Sequence, residues 1–404
     1  MNDLSSLLAA LEDAQRGQQD VVIATVVKVE GSAYRRPGAR MIIAPMGEAT
    51  GTVSGGCLES DVSKKAWWLT ASGKPALRTY STGEDDDELE DAELSFGLGC
   101  NGTVHILFER VLFEDHPEEK GMPRAASLVV DVLREVKASG TGAALATVIG
   151  TQSERHTALG ERVAIRSAGQ VQIEMRERWL ATAVAEDLKT VLDARRSATR
   201  TYEGADGAVE VLLEYIAPPR RLVIFGAGHD AMPLVSMARL QGWHITVIDA
   251  RSHFARAQRF PDADQVLSAP LQPMPELHAM VADAAVVVMT HSLSQDRHWL
   301  GQVLQSTPRY IGQLGPRSRT ERLLDELPEQ TRQAAACANL HYPVGLDLGG
   351  DAPDSVALSI LAEANAVFNG RDGGMLKHRQ ASIHAVDVTL DRTLEQTREL
   401  RMIS

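Results

Sequence analysis

Residues 221–249, RLVIFGAGHDAMPLVSMARLQGWHITVID, decide the fold of the second half of the chain. An apolar run, RLVIF (221–225), meets a glycine turn, and an amphipathic stretch separates it from a second run, HITVID (244–249). Runs without period-two alternation are what strands buried on both faces look like, and their alternation with helical patterns predicts a doubly wound parallel sheet. AAVVVMT (284–290) and RYIGQL (309–314) continue the pattern. The turn reads G-x-G-x-x-A from Gly226 through Gly228 and His229 to Ala231, and Asp249 follows Gly228 by 21 residues. Strand, glycine turn, helix and acid at that spacing form a Rossmann-like dinucleotide fingerprint, in which a pyrophosphate approaches the glycines and rests on the helix N-terminus. Asp249 is then the candidate for a ribose hydroxyl and Arg251 for a phosphate. His291, at the carboxyl end of the AAVVVMT run, is either a site residue or only a cap on the helix that carries Asp296. PDSVALSILAEANAVF (353–368) reads as a last helix capped by Asp351, and the charged tail from about Asn369 is expected to be loosely held.

Outward from this core, Pro218-Pro219 and Arg220-Arg221 mark a composition break, giving an N-terminal domain of 1–217 and a Rossmann-like domain of 218–404. The first half repeats itself. Ala24-Thr25-Val26 recurs as Ala146-Thr147-Val148, and the same offset of 122 maps Gly38 and Arg40 onto Gly160 and Arg162, Gly47 onto Gly169, and Arg78-Thr79-Tyr80 onto Arg200-Thr201-Tyr202. VHILFE (104–109) matches VEVLLE (209–214) at offset 105. The fold class expected is therefore α/β, with a strand-rich α+β N-terminal domain built from a degenerate internal repeat: copy one at 1–115, a linker helix at 116–139 and copy two at 140–217.

With 41 basic and 54 acidic residues among 404, the net charge of −13 argues against a general nucleic-acid or acidic-lipid surface. No stretch approaches the ~18 apolar residues of a membrane helix. The start, MNDLSSLLAALEDAQRG, carries acids instead of a basic leader, so a cytoplasmic protein with no membrane and no nucleic-acid partner is expected.

Three cysteines cannot form a disulfide framework. Copy two lacks SGGCLESD (54–61), the acidic run EDDDELEDAE (84–93) and GLGCNG (97–102), so these are the freest parts of copy one to carry function. Cys57 follows Ser54-Gly55-Gly56 and precedes a helical pattern, a position where the helix dipole activates a thiol and favours anions. Cys100 is flanked by glycines that suit close approach of a ligand; Cys337, in AAACANL, reads as a small buried residue. Neither loop has zinc spacing. Upstream, GSAYRRPGAR (31–40) sets Arg35, Arg36 and Arg40 in a Gly/Pro loop that suits an oxyanion or phosphate. The acidic run reads as a solvated loop.

Taken together, GSAYRRPGARM, GTVSGGCLESDV and FGLGCNG in the first half, with LVIFGAGHDAMPL, VIDARSHFA, MTHSLSQD, YIGQLGPRSR and PVGLDLGGDAPDSVALSILAE in the second, resemble the xanthine dehydrogenase accessory factor family (XdhC/CoxI). The chain departs from the family pattern at Ala33-Tyr34 and Asn101. The resemblance implies a maturation chaperone without turnover of its own. Such a protein binds the molybdenum cofactor (molybdopterin, as such or as a dinucleotide), holds it while a cysteine desulfurase supplies sulfur, and passes it to an apo molybdenum hydroxylase of the xanthine dehydrogenase type; a homodimer is expected. Cys57 and Cys100 would be the soft metal ligands, Arg36 and Arg40 would take the pterin phosphate, and Ser54, Gly55, Gly56, Gly226, Gly228, His229, Asp249, Arg251 and His291 would complete the binding loops. Two other readings stay open, an NAD(P)-dependent oxidoreductase using the Rossmann turn and a scaffold that binds the partner enzyme alone.

Overall fold

The computed structural model describes residues 4–81, 102–113, 127–204, 207–337 and 339–379. The chain divides at the double proline into two compact units, Met1–Pro218 and Pro219–Ser404.

The first unit runs α1 (Leu4–Arg16), β1 (Val21–Gly31), β2 (Arg40–Ile43), β3 (Ala49–Gly51), α2 (Glu59–Leu69), β4 (Ala76–Tyr80) and β5 (Gly102–Val111). The same succession follows as α3 (Ser127–Ser139), β6 (Ala143–Thr151), β7 (Arg162–Ile165), β8 (Val171–Glu174), α4 (Arg178–Ala194), β9 (Ala198–Gly204) and β10 (Gly207–Ile216). Each half forms a five-stranded sheet in equivalent order, β3-β2-β1-β5-β4 and β8-β7-β6-β10-β9. The register slips at Val27 in β1 and at Ile149 in β6, which are the same position at offset 122. The helix expected to be a linker is described from Ser127 onward, and it precedes β6 as α1 precedes β1; it opens the second copy. Both β1 and β6 are buried on two faces, which explains their near-continuous apolar runs. Val21, Ile23 and Leu145 pack with α1 and α3, whereas Val22, Ala24 and Val26 pack with α2, and Ala146 and Val148 with α4.

The copies are joined through Val27, Leu107, Ile149 and Leu212, and through two reciprocal buried ion pairs. Arg40 of copy one donates to Glu214 of copy two (2.8 Å from Nη1 to Oε1), and Arg162 of copy two pairs with Glu109 of copy one. Arg40 and Arg162 correspond, as do Glu109 and Glu214, so this is the exchange symmetry of an isologous dimer within one chain. Gly38 and Gly160 adopt φ of +94° and +80°, and a Cβ at either would meet the opposite glutamate at 2.6 or 2.9 Å. Glycine recurs there because the turn and the incoming carboxylate both require it.

The second unit carries β11 (Arg221–Phe225), α5 (Ala231–Leu240), β12 (His244–Asp249), β13 (Gln265–Ser268), α6 (Leu277–Val281), β14 (Ala285–Val288), α7 (Leu293–Val303), β15 (Tyr310–Gln313), α8 (Arg317–Asp325), α9 (Glu329–Cys337), β16 (Leu340–His341) and α10 (Pro353–Phe368). Its six strands are parallel in the order β13-β12-β11-β14-β15-β16. Counted within the unit this is 3-2-1-4-5-6, the Rossmann order, whose ligand crevice opens at the carboxyl ends of the first and fourth strands. Leu234, Val235 and Ala238 of α5 pack with Ile360 and Leu361 of α10 on one face. On the other, Trp299 of α7 stacks on Phe225 with centroids 4.7 Å apart. β13 and β16 extend the four expected strands. The last helix is capped at Ala352 with Pro353 in its first turn, not at Asp351, because proline at that position needs no N–H partner.

Candidate functional site

In the first unit, the loop between β3 and α2 is built by Ser54 and Glu59. The Ser54 hydroxyl accepts from the N–H groups of Gly56 (3.2 Å) and Leu58 (3.1 Å), and donates to the Glu59 carboxylate. Glu59 also accepts from the backbone of Val53 (3.2 Å) and Ser54 (2.9 Å). Burial pushes the Glu59 carboxyl up, but the Ser54 hydroxyl and these N–H groups outweigh it and hold the group below the usual carboxylate range. Ser54, expected to face a ligand, spends its hydroxyl on shaping the loop. What it shapes is an exposed tip, Gly55-Gly56-Cys57, with the thiol at its end.

The arginine loop lies alongside. The Tyr34 ring stands 3.4 Å from where a Cβ on Gly55 would be, so glycine lets the two loops touch. Burial lowers the pKa of Arg35, and the Glu59 carboxylate opposes that shift. Arg36 is exposed and Arg35 partly so. Arg40 leaves this group: it is 5% exposed and its guanidinium is committed to Glu214, a partner that only the folded pair of copies supplies. Strand β5 starts at Gly102, where a Cβ would lie 2.0 Å from the Ser32 carbonyl oxygen of the arginine loop. Cys100, the acidic run and most of GLGCNG lie outside the described residues. Beside Glu59, a groove of about 640 Å³ is lined by Met41, Met46, Lys64 and Trp67 among others. Tyr34, which the sequence marks only as a departure from the family pattern, and Glu59 are not among the site residues expected from sequence, although both sit within the motifs GSAYRRPGARM and GTVSGGCLESDV. Among the described residues, no three His, Cys, Asp or Glu side chains gather as a metal set.

In the second unit, Gly226 closes the first turn, and a Cβ there would strike the Met289 carbonyl oxygen at 2.4 Å. Asp249 is fully buried, but it is not open to a ribose. It accepts from the Ala227 N–H (2.8 Å), from the Arg251 N–H (2.8 Å) and from the Arg251 guanidinium (2.9 and 2.8 Å). Burial raises its pKa, but the Arg251 side chain and the two N–H groups outweigh that and hold the carboxyl below its usual range. Arg251, expected at a phosphate, is the other half of this pair. His229 is exposed beside the turn. His291 adopts φ +61° and places Nε2 2.7 Å from Oδ2 of Asp230, a residue that sequence reasoning passed over. It does not cap α7, whose N-cap is Ser292; Asp296, in the first turn, takes the Thr290 hydroxyl and N–H. No described helix is long and apolar enough to cross a membrane.

Fold and loops together define a two-unit α/β protein, one unit bearing a Rossmann sheet and the other a duplicated sheet with a thiol-tipped glycine loop. The XdhC and CoxI family model matches residues 14–81, and the XdhC Rossmann domain model matches 222–364. The chain is 32% identical over 358 residues to a probable xanthine dehydrogenase subunit from Bacillus subtilis, covering 88% of this chain and 94% of that one. It is 23% identical to the molybdenum cofactor insertion chaperone PaoD of Escherichia coli, over 91% and 89% of the two chains. A crystal structure described as a xanthine dehydrogenase from Bacillus halodurans is similar with a TM-score of 0.69 and 28% identity, over 95% of this chain and 98% of that one. The chain belongs to the XdhC and CoxI family.

Proposed function

We propose that this protein is a molybdenum cofactor insertion chaperone that serves a molybdenum hydroxylase of the xanthine dehydrogenase type. The observation that carries the reading is the loop at Cys57. An exposed thiol is held on a hydrogen-bonded Ser54–Glu59 frame next to Tyr34 and Arg35, and the second copy, which keeps the same sheet, has no cysteine there. A soft thiolate suits a thiophilic metal, and guanidinium groups suit a pterin phosphate. The family and the names of its relatives point the same way.

In this reading Cys57, with Cys100 as its expected partner, holds the metal end of the cofactor, Arg36 takes the phosphate, and the groove along α2 offers Trp67 and Met46 to the pterin ring. When bound, the cofactor supplies the molybdenum and the terminal sulfur that the hydroxylase needs. The protein binds, orients and shields it. The expected partners are the apo hydroxylase and a cysteine desulfurase, the expected assembly is a homodimer and the expected compartment is the cytoplasm. The 3-2-1-4-5-6 sheet favours an NAD(P)-dependent oxidoreductase as the second reading, against which stand the engaged Asp249 and the Asp230 carboxylate over Gly228.

Anaerobic purification from cells that make the cofactor, followed by metal and pterin analysis, tests the proposal. Molybdenum and pterin in near-equal amounts on the chain support it. A chain that carries no pterin but alters nicotinamide absorbance with a small substrate would replace it with the oxidoreductase.

A further inference from the structure

The second glycine of a dinucleotide turn matters because the space left by its missing side chain admits the pyrophosphate. In this chain that space is taken. A Cβ on Gly228 would lie 2.3 Å from Oδ1 of Asp230 and 3.9 Å from Cδ2 of His291. Asp230 precedes the first residue of α5, where free N–H groups and the helix dipole would otherwise draw an anion. Its carboxylate makes no capping hydrogen bond to its own helix. Instead it reaches back over Gly228, and Oδ2 is held 2.7 Å from Nε2 of His291. The histidine arrives from the loop after β14, on the other side of the crevice, with a left-handed φ that non-glycine residues seldom adopt. A carboxylate is thus fastened from both walls of the switch point, at the place that a phosphate would occupy. Around it, Asp249 is saturated by Ala227 and Arg251, so the ribose position is also engaged.

We infer that Asp230, positioned by His291, closes the glycine turn to phosphate-bearing ligands and is the specificity-determining residue of this Rossmann unit. Like charges at this distance repel, and the carboxylate fills the volume besides. The unit therefore rejects free dinucleotides. In the chaperone reading above, on which this consequence rests, a nucleotide tail on the cofactor would not be gripped by this turn.

The test uses the full chain and two defined probes, ADP and NAD⁺, titrated by calorimetry into wild type, Asp230→Asn and Asp230→Ala. Asn keeps the shape and removes the charge; Ala removes both. The expected result is no saturable binding to wild type below about 1 mM, a loss that neutralisation repairs by at least tenfold, with Ala equal to or better than Asn. Equal affinities in wild type and Asp230→Asn would overturn the inference, and so would silence in all three chains, since something other than Asp230 would then exclude the ligand. Should both variants fail to fold, His291→Ala, which releases Asp230 from the far wall, takes their place: saturable binding to wild type, or silence in both chains, contradicts the inference, and silence in wild type with binding to His291→Ala agrees with it. None of these outcomes depends on molybdenum, so failure here and failure of the chaperone reading are separable.

Discussion

Replacing Glu214 by alanine should destabilise the first unit far more than the loss of one ion pair at a surface would. Arg40 and Glu214 are 5% and 6% exposed, and the guanidinium makes a two-pronged contact with the carboxylate. Truncating the glutamate takes from a buried cation the carboxylate it is paired with, leaving the Gly38 carbonyl and the more distant Glu109 to offset its charge, a change that costs about 3–5 kcal/mol. The penalty should reach both copies, since Arg40 lies on β2 and Glu214 on β10. At about 1.4 kcal/mol per factor of ten, amides protected by opening of the unit should exchange roughly 10²- to 4 × 10³-fold faster. Hydrogen exchange with mass spectrometry reads this in β1, β2, β6 and β10, while peptides from β11 and β14 serve as the internal control. Removing both charges, as Arg40→Met with Glu214→Leu, should recover most of the loss, because an apolar pair leaves no charge stranded. Exchange faster by less than about fivefold in the single variant, or a double variant no better than the single, would refute the claim that these groups are a desolvated pair.

Three further outcomes follow from the same geometry. Gly226→Ala should lower stability of the second unit by about 2–4 kcal/mol in chemical denaturation, since the new Cβ meets the Met289 carbonyl oxygen at 2.4 Å and φ is +121°. Glu59 has a pKa lowered in the folded chain, so its contribution is present at neutral pH and is lost as pH falls through the usual carboxylate range and below it. Melting temperatures from pH 7 to 3 should therefore fall more steeply for wild type than for Glu59→Gln, and parallel curves would show that the Ser54 frame does not depend on the charge. Gly55→Leu should push the Tyr34 ring away and loosen the contact between the two loops, with little effect on global stability; amides of residues 31–40 should exchange faster, and an unchanged rate would argue that the two loops do not rest on one another.

Much of the Rossmann unit was legible because strands buried on two faces leave unbroken apolar runs, and RLVIF and HITVID coincide with β11 and β12 residue for residue. QVLS and LH, which became β13 and β16, are short and partly polar, so nothing in composition separates them from loop. The repeat was readable from offsets, and the matching bulges at Val27 and Ile149 show how far it extends into geometry. The purpose of the repeated arginines was not readable. Arg40 looked like part of an anion loop because its neighbours are Arg35 and Arg36, whereas its partner lies 174 residues away on the other copy. Asp249 illustrates the converse limit, since its spacing from Gly228 fits a ribose ligand, whereas its actual partners are Ala227 in the turn itself and Arg251 two residues further on. The Cys57 loop was found from sequence, but the frame of Ser54 and Glu59 that exposes it needed the fold. Both Tyr80 and its repeat equivalent Tyr202 bond an aspartate of the adjacent helix, Asp61 and Asp187, a kinship that no offset in the helices reveals.

The most direct measurement is the molybdenum and pterin content of wild type and Cys57→Ser, each purified anaerobically from the same cofactor-producing cells and compared at equal folded concentration. Oxygen in place of sulfur at an exposed tip should leave the melting temperature within a few degrees, consistent with a surface change of about 1 kcal/mol or less. Wild type should carry both components and Cys57→Ser should carry neither, with Cys337→Ser behaving as wild type. A Cys57→Ser chain that is equally folded and equally loaded would contradict the assignment of this loop as the place where the cofactor is held.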